Sequence, residues 1–189
     1  MRVIVLGTGR CGTTTFVRAC QHLTNYTAGH ETRAHLIGPD RFAYPDQHVE
    51  ADNRLSWFLG ELGQRFPDAH YVHLLRDREE VARSYLNRWG TKSIIRPFGQ
   101  AIVMHWEEWS ERERLEVCRF YVDTVTANVD AFLEGRAFTT MWLHEARESF
   151  PAFLDRIGAE GDLPAAAAEW AIRHNRSAPL SAVDLVEFR

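Results

Sequence analysis

Val3-Ile4-Val5-Leu6-Gly7-Thr8-Gly9-Arg10-Cys11-Gly12-Thr13-Thr14-Thr15 runs a short apolar strand into a glycine-rich turn, then into a helix that opens on three threonines. Backbone N–H groups in such a turn, with the positive end of the following helix dipole, make a binding site for an anion. Three β-branched residues in a first turn are poor helix formers, because each loses rotamer freedom against the turn before it. Three hydroxyls directed at phosphate oxygens give that choice a purpose. Thr13, Thr14 and Thr15, with the backbone of Arg10, Cys11 and Gly12, are therefore expected to hold a phosphorylated ligand.

Two motifs overlap in this stretch. Gly7-x-Gly9-x-x-Gly12 satisfies the dinucleotide fingerprint, and Gly7-x-x-x-x-Gly12-Thr13-Thr14 is a P-loop whose lysine is missing. The dinucleotide reading needs a second strand ending in an acid about 20 residues on. Glu31 stands near that distance, but Asn25-Tyr26-Thr27-Ala28-Gly29-His30 before it is a weak strand. A P-loop kinase or triphosphatase needs a lysine at position 13 to reach the outer phosphates. That position is Thr13, and the chain's only lysine is Lys92. Both standard readings fail at a residue on which their chemistry depends. The basic group in the loop is Arg10.

A second segment repeats the strand-to-helix plan. Tyr71-Val72-His73-Leu74-Leu75 is an apolar strand that ends in Arg76-Asp77-Arg78-Glu79-Glu80-Val81-Ala82-Arg83-Ser84-Tyr85. Asp77 is placed to cap the helix with Glu80 three residues on. Positions 77, 80/81 and 84 share a helix face, so Ser84 points back towards Arg76.

Arg-[small]-Gly-Thr-Thr after a strand, followed later by a strand-terminal Arg76 and Ser84 eight residues on, resembles the sulfotransferases that use 3′-phosphoadenosine 5′-phosphosulfate. The resemblance implies that residues 10–15 cradle the 5′-phosphosulfate, with Arg10 steadying the bridging oxygen as sulfate leaves. It further implies that Arg76 and Ser84 hold the 3′-phosphate. Gly29-His30-Glu31-Thr32-Arg33 resembles the Gly-Glu-Glu-Thr-Arg segment of the tyrosylprotein sulfotransferases, whose second Glu is the general base. That Glu follows the loop arginine by the interval separating Arg10 from Glu31. Transfer to a hydroxyl acceptor needs the acceptor proton removed, which a carboxylate near the donor can do. Glu31 is the first candidate, with His30, His48 and Asp52 as the alternatives. The resemblance implies a P-loop-like fold, and no metal is called for.

The rest of the chain sets bounds. Its 189 residues make one domain with a single substantial core. A formal charge of -4 argues against a generic binder of nucleic acid or anionic membranes. Cys11, Cys20 and Cys118 form no spacing motif and cannot all pair, which predicts a reducing compartment. With the first strand starting at residue 2 and no apolar run long enough to span a bilayer, a cytoplasmic protein without signal peptide or anchor is expected. Cys11, at a helix N-terminus beside Arg10, is expected to have a depressed pKa.

The coarse element order is strand 2–7, helix 13–24, a polar loop, a short strand near 46–50, helix 53–66, strand 70–75 and helix 78–89. An irregular stretch from 90 to 97 precedes a long helix near 111–134, strand 138–143 and helices near 147–158 and 164–173. The long helix carries an apolar stripe at Leu115, Cys118, Val122, Val125, Val129 and Phe132. Alternating strands and helices predict an α/β single-domain, three-layer fold on a mostly parallel sheet, with ligands at the strand C-termini. Trp106 and Trp109 are candidates for an acceptor pocket or for core, and Arg176 for a further nucleotide contact. The rival readings are a nucleotide kinase or triphosphatase with an atypical loop, a non-catalytic nucleotide-binding module, and a dinucleotide oxidoreductase.

Overall fold

The computed structural model describes residues 1–90, 93–105, 108–172 and 174. Lys92, Trp106 and Arg176 lie outside them. The elements that build the sheet are β1 (Val3–Leu6), α1 (Thr13–Cys20), β2 (Thr27–His30), β3 (His48–Ala51), α2 (Leu59–Arg65) and β4 (His70–Leu75). They are followed by α3 (Arg78–Leu86), α4 (Glu111–Leu133), β5 (Phe138–Trp142), α5 (Ala146–Ile157) and α6 (Leu163–Ala168). The five strands form one all-parallel sheet in the order β2-β3-β1-β4-β5.

The inner strands of this sheet are buried on both faces, and β1 shows how. Val3 and Val5 join Phe16 of α1 and Phe150 and Phe153 of α5 in one core cluster. Ile4 and Leu6 point the other way, to Leu62 of α2, Val81 and Tyr85 of α3, and Tyr121 and Val125 of α4. Alternate side chains thus feed two separate cores, and helices cover both faces in a three-layer α/β arrangement. His70 and His73 follow the same alternation: His70 meets Thr139 on β5 at 2.8 Å, and His73 meets Asp130 on α4 at 3.1 Å. The strand order reverses at β1, where open α/β sheets place their ligands beyond the strand C-termini.

Several boundaries differ from expectation. Residues 27–30 do form a strand, β2, despite poor propensity, because parallel pairing with His48–Ala51 supplies the ladder bonds on one side. The expected helix 53–66 is a 3₁₀ turn at Asn53–Trp57 followed by α2, since Asp52 caps the turn by accepting the Arg54 N–H at 2.8 Å. Helices α1 and α3 stop at Cys20 and Leu86, short of the apolar pattern. Among the described residues of 90–97 there is one helical turn, Ile95–Pro97, which runs into a π turn at Phe98–Ile102. In α4 the deeply buried stripe is Cys118, Tyr121, Val122, Val125, Val129 and Leu133, with Leu115 and Phe132 at its margin. The capping box Ser110–Glu113 starts that helix.

Candidate phosphate-binding site

The loop between β1 and α1 is built so that its backbone curls. Gly9, Arg10 and Gly12 have φ of 77°, 60° and 99°. A turn with left-handed residues brings successive peptide N–H groups to its concave side, the arrangement that binds anions. At Gly9 a side chain would also collide with the neighbours, because a Cβ would lie 2.6 Å from the Tyr85 hydroxyl.

The loop's carbonyl oxygens are engaged by the protein. Ser56 donates to Gly7 O at 3.2 Å, and both Tyr85 and Tyr121 donate to Thr8 O, at 2.5 and 3.0 Å. The Thr8 hydroxyl donates to Gly9 O, Arg76 Nη1 to Arg10 O at 3.1 Å, and the Phe16 N–H to Gly12 O. Carbonyls bound outward fix the loop's shape before any ligand arrives, which is electrostatic preorganisation.

The two separately read segments meet here. Arg10 Nε donates to Ser84 Oγ at 3.1 Å, across 74 positions of sequence. Arg76, at the end of β4, uses Nε on Glu80 at 2.7 Å and Nη1 on the loop. Asp77 caps α3 as expected, accepting the Glu80 N–H at 2.9 Å. Burial, then the guanidinium groups of Arg88 and Arg76, lowers the Arg10 pKa. Like charges held close make a positive site of the kind that attracts an anion. Arg88, one helical turn beyond Ser84, was not singled out in the sequence; its spacing of four from Ser84 is the only signal it leaves.

Thr13 and Thr14 are half-buried at the start of α1, and Thr15 is buried. Cys11 departs from expectation. Its side chain is fully buried in the core with Val3, Val5 and Phe16, so only its backbone can face a ligand. Burial pushes the thiol up to about 11, and this outweighs nearby Arg76 and Arg10. The reactive thiol that position alone predicts is not formed, because the sulfur lies beneath the loop rather than in it.

Glu31 follows β2 with φ of 54°, its N–H bonded to Ala51 O at 3.1 Å. Its carboxylate pairs with Arg54 Nη1 at 2.9 Å, and Arg54 follows Asn53, whose side chain packs on Gly9. His30 Nε2 meets the Thr13 hydroxyl at 3.0 Å, so the end of β2 borders the start of α1. Of the alternative bases, Asp52 is fully buried and ion-paired with Arg41. His48 is stacked on Tyr44 and bonded through Nδ1 to Thr27 and Nε2 to Glu50. Both are committed to buried structure. Trp109 is core, packed on Trp89 with ring centroids 4.9 Å apart.

A cavity of about 340 Å³ opens among Thr32, Arg33, Leu36, Tyr44, Pro45 and His48. Thr32 and Arg33 follow Glu31 after β2 and His48 begins β3, so the cavity adjoins the β2–β3 side of the sheet, and no residue of the 7–15 loop lines it. Among the described residues no helix is long and apolar enough to cross a membrane. No protein-family model matches the chain, and no curated protein is significantly similar to it.

Proposed function

We propose that the chain is a sulfotransferase that moves a sulfuryl group from 3′-phosphoadenosine 5′-phosphosulfate to a hydroxyl-bearing acceptor. The observation that carries the reading is the bond from Arg10 to Ser84, with Arg76 on the Arg10 carbonyl. It joins a loop suited to a 5′-phosphosulfate and an Arg–Ser pair suited to a 3′-phosphate in one basic site. A nucleoside triphosphate site has no use for the second half.

In this reading the donor lies across the strand C-termini, with its phosphosulfate over residues 10–15 and its 3′-phosphate on Arg76 and Ser84. Glu31 takes the acceptor proton as the acceptor oxygen attacks sulfur in line with the departing phosphate oxygen. The loop N–H groups, the N-terminus of α1 and the Arg10 charge stabilise the negative charge growing on the bridging oxygen. The donor is a co-substrate, and the chemistry calls for no metal. A cytoplasmic location accords with three free cysteines, all buried.

Calorimetry with nucleotides tests the assignment. The protein is expected to bind 3′-phosphoadenosine 5′-phosphate well above AMP or ADP without a divalent cation. Arg76→Ala is expected to remove about 1.5–3 kcal/mol of that preference, the range for a hydrogen bond to a charged group. Equal affinity for AMP, or an absolute need for magnesium with ATP, overturns the reading and favours a kinase or triphosphatase.

A further inference from the structure

Glu50 occupies the middle of β3, fully buried between Val49 and Ala51, where an apolar residue would fill a strand position at no electrostatic cost. Its carboxylate is saturated by donors. Oε1 accepts the Thr32 N–H at 2.8 Å, and Oε2 accepts the Thr32 hydroxyl at 2.6 Å and His48 Nε2 at 3.0 Å. A histidine protonated at Nε2 satisfies this contact while its Nδ1 accepts the Thr27 hydroxyl at 2.8 Å. Thr32 is thus gripped at backbone and side chain by one carboxylate.

The gripped residue is the one after Glu31, and Glu31 is one of four described non-glycine residues with positive φ. A left-handed residue with a side chain persists only where its surroundings over-determine it. Here they do. The Glu31 N–H is held by Ala51 O, its carbonyl accepts the Ala34 N–H at 3.2 Å, and Thr32 is fixed by Glu50. The packing leaves no slack, since a Cβ on Gly29 would lie 2.9 Å from Glu50 Oε2 and would overlap the Thr32 methyl.

We propose that Glu50, acting through Thr32, is a positioning residue that holds the Glu31 carboxylate in place to take the acceptor proton. This rests on the transferase reading above. Charge-assisted bonds to Thr32 hold the turn against the strain at Glu31. Without the carboxylate, Glu31 relaxes towards an ordinary backbone conformation and its carboxylate swings from the end of β2.

The test uses the intact protein with 3′-phosphoadenosine 5′-phosphosulfate and water as the acceptor. Water oxygen bonds to sulfur as the bond from sulfur to the bridging oxygen breaks, and that electron pair leaves on the 5′-phosphate. One water proton passes to Glu31, which returns it to solvent; the hydrogensulfate formed loses the other to solvent, and the products are sulfate and 3′-phosphoadenosine 5′-phosphate. Glu50→Gln and Thr32→Val are each expected to slow this hydrolysis by about 10²-fold, the usual effect of misplacing a reacting group by about 1 Å. Thr32→Ser, which retains both donors, recovers most of the rate. The affinity for 3′-phosphoadenosine 5′-phosphate stays unchanged in all three. In a Glu31→Gln background, Glu50→Gln adds no further loss, because a residue acting only through Glu31 has nothing left to position.

Thr32→Val carries the same test if Glu50→Gln does not fold. A wild-type rate in Glu50→Gln or Thr32→Val overturns the inference alone, as does an equal loss with and without Glu31. A wild-type protein that binds the bisphosphate yet leaves the donor intact overturns the base assignment and this inference together. Failure to bind the bisphosphate at all overturns the transferase reading itself.

Discussion

At Asp52 the carboxylate has no exposed surface, is ion-paired with Arg41 and caps the turn at Arg54. Arg41 is 4% exposed, so Asp52→Asn leaves a guanidinium buried opposite a neutral amide. Breaking one side of such a pair is expected to cost about 3–5 kcal/mol. Glu31→Gln, at a side chain 33% exposed, is expected to change stability by no more than about 0.5 kcal/mol. Urea midpoints for the two variants check this, and equal losses would refute the division of labour between the two acids. Glu31 was visible in the sequence as a candidate because its neighbours form a recognisable run. Glu50 was not, because a carboxylate between Val49 and Ala51 has meaning only once Thr32 and His48 are folded against it. Cys11 was misjudged for a related reason: helix position and an adjacent arginine are readable from sequence, whereas burial of the sulfur is not.

Helices α3 and α4 converge on one carbonyl of the loop, through Tyr85 and Tyr121. Tyr121 is also bonded to Asn53, so three elements fix the loop from beneath. Tyr121→Phe removes one donor while Thr8 O keeps the other. The expected stability loss is about 1 kcal/mol, the net worth of a typical buried hydrogen bond. The loop, not the proposed 3′-phosphate pair, loses definition. Affinities for AMP and for 3′-phosphoadenosine 5′-phosphate should therefore fall by a similar factor, about fivefold for 1 kcal/mol. A selective loss of the bisphosphate, the pattern expected of Arg76→Ala, would show that the tyrosines serve the other half of the site. In sequence these two tyrosines are indistinguishable from core residues. The elements that carry the candidate phosphate contacts were readable, because β1 is a continuous apolar run ending in glycine and β4 a mostly apolar one ending in charge. β2 was not, since an edge strand of Thr-Ala-Gly-His owes its form to β3 rather than to its own composition.

Across the whole molecule, histidines buried on both sides of β4 make stability fall in mild acid. Burial lowers the pKa of His70, helped by Arg156. Burial likewise lowers that of His73, more than Asp130 raises it, and His73 Nε2 is buried with no hydrogen-bond partner among the described residues. Above the unfolded value near 6.5, both states hold these rings neutral and they leave stability unaffected. As pH falls through that value the unfolded chain takes up protons that the folded chain refuses, so stability drops. The loss ends only below the depressed folded values. Its slope is at most about 1.4 kcal/mol per pH unit for each proton of difference. Glu50 adds a second loss at lower pH. Its burial raises the carboxyl pKa, but the bonds from His48 and Thr32 more than offset this and hold it below the usual range. Its stabilisation is therefore present above the unfolded value and disappears as pH falls through the folded one. Urea midpoints measured from pH 8 to pH 5 are expected to decline below about pH 6.5. His73→Leu should flatten part of that decline, because the ring and its unmet nitrogen are gone while Asp130, 64% exposed, is left in water. His70 contributes to the remaining slope, and a profile for His73→Leu that parallels wild type would mean that His73 is protonated without penalty in the folded protein.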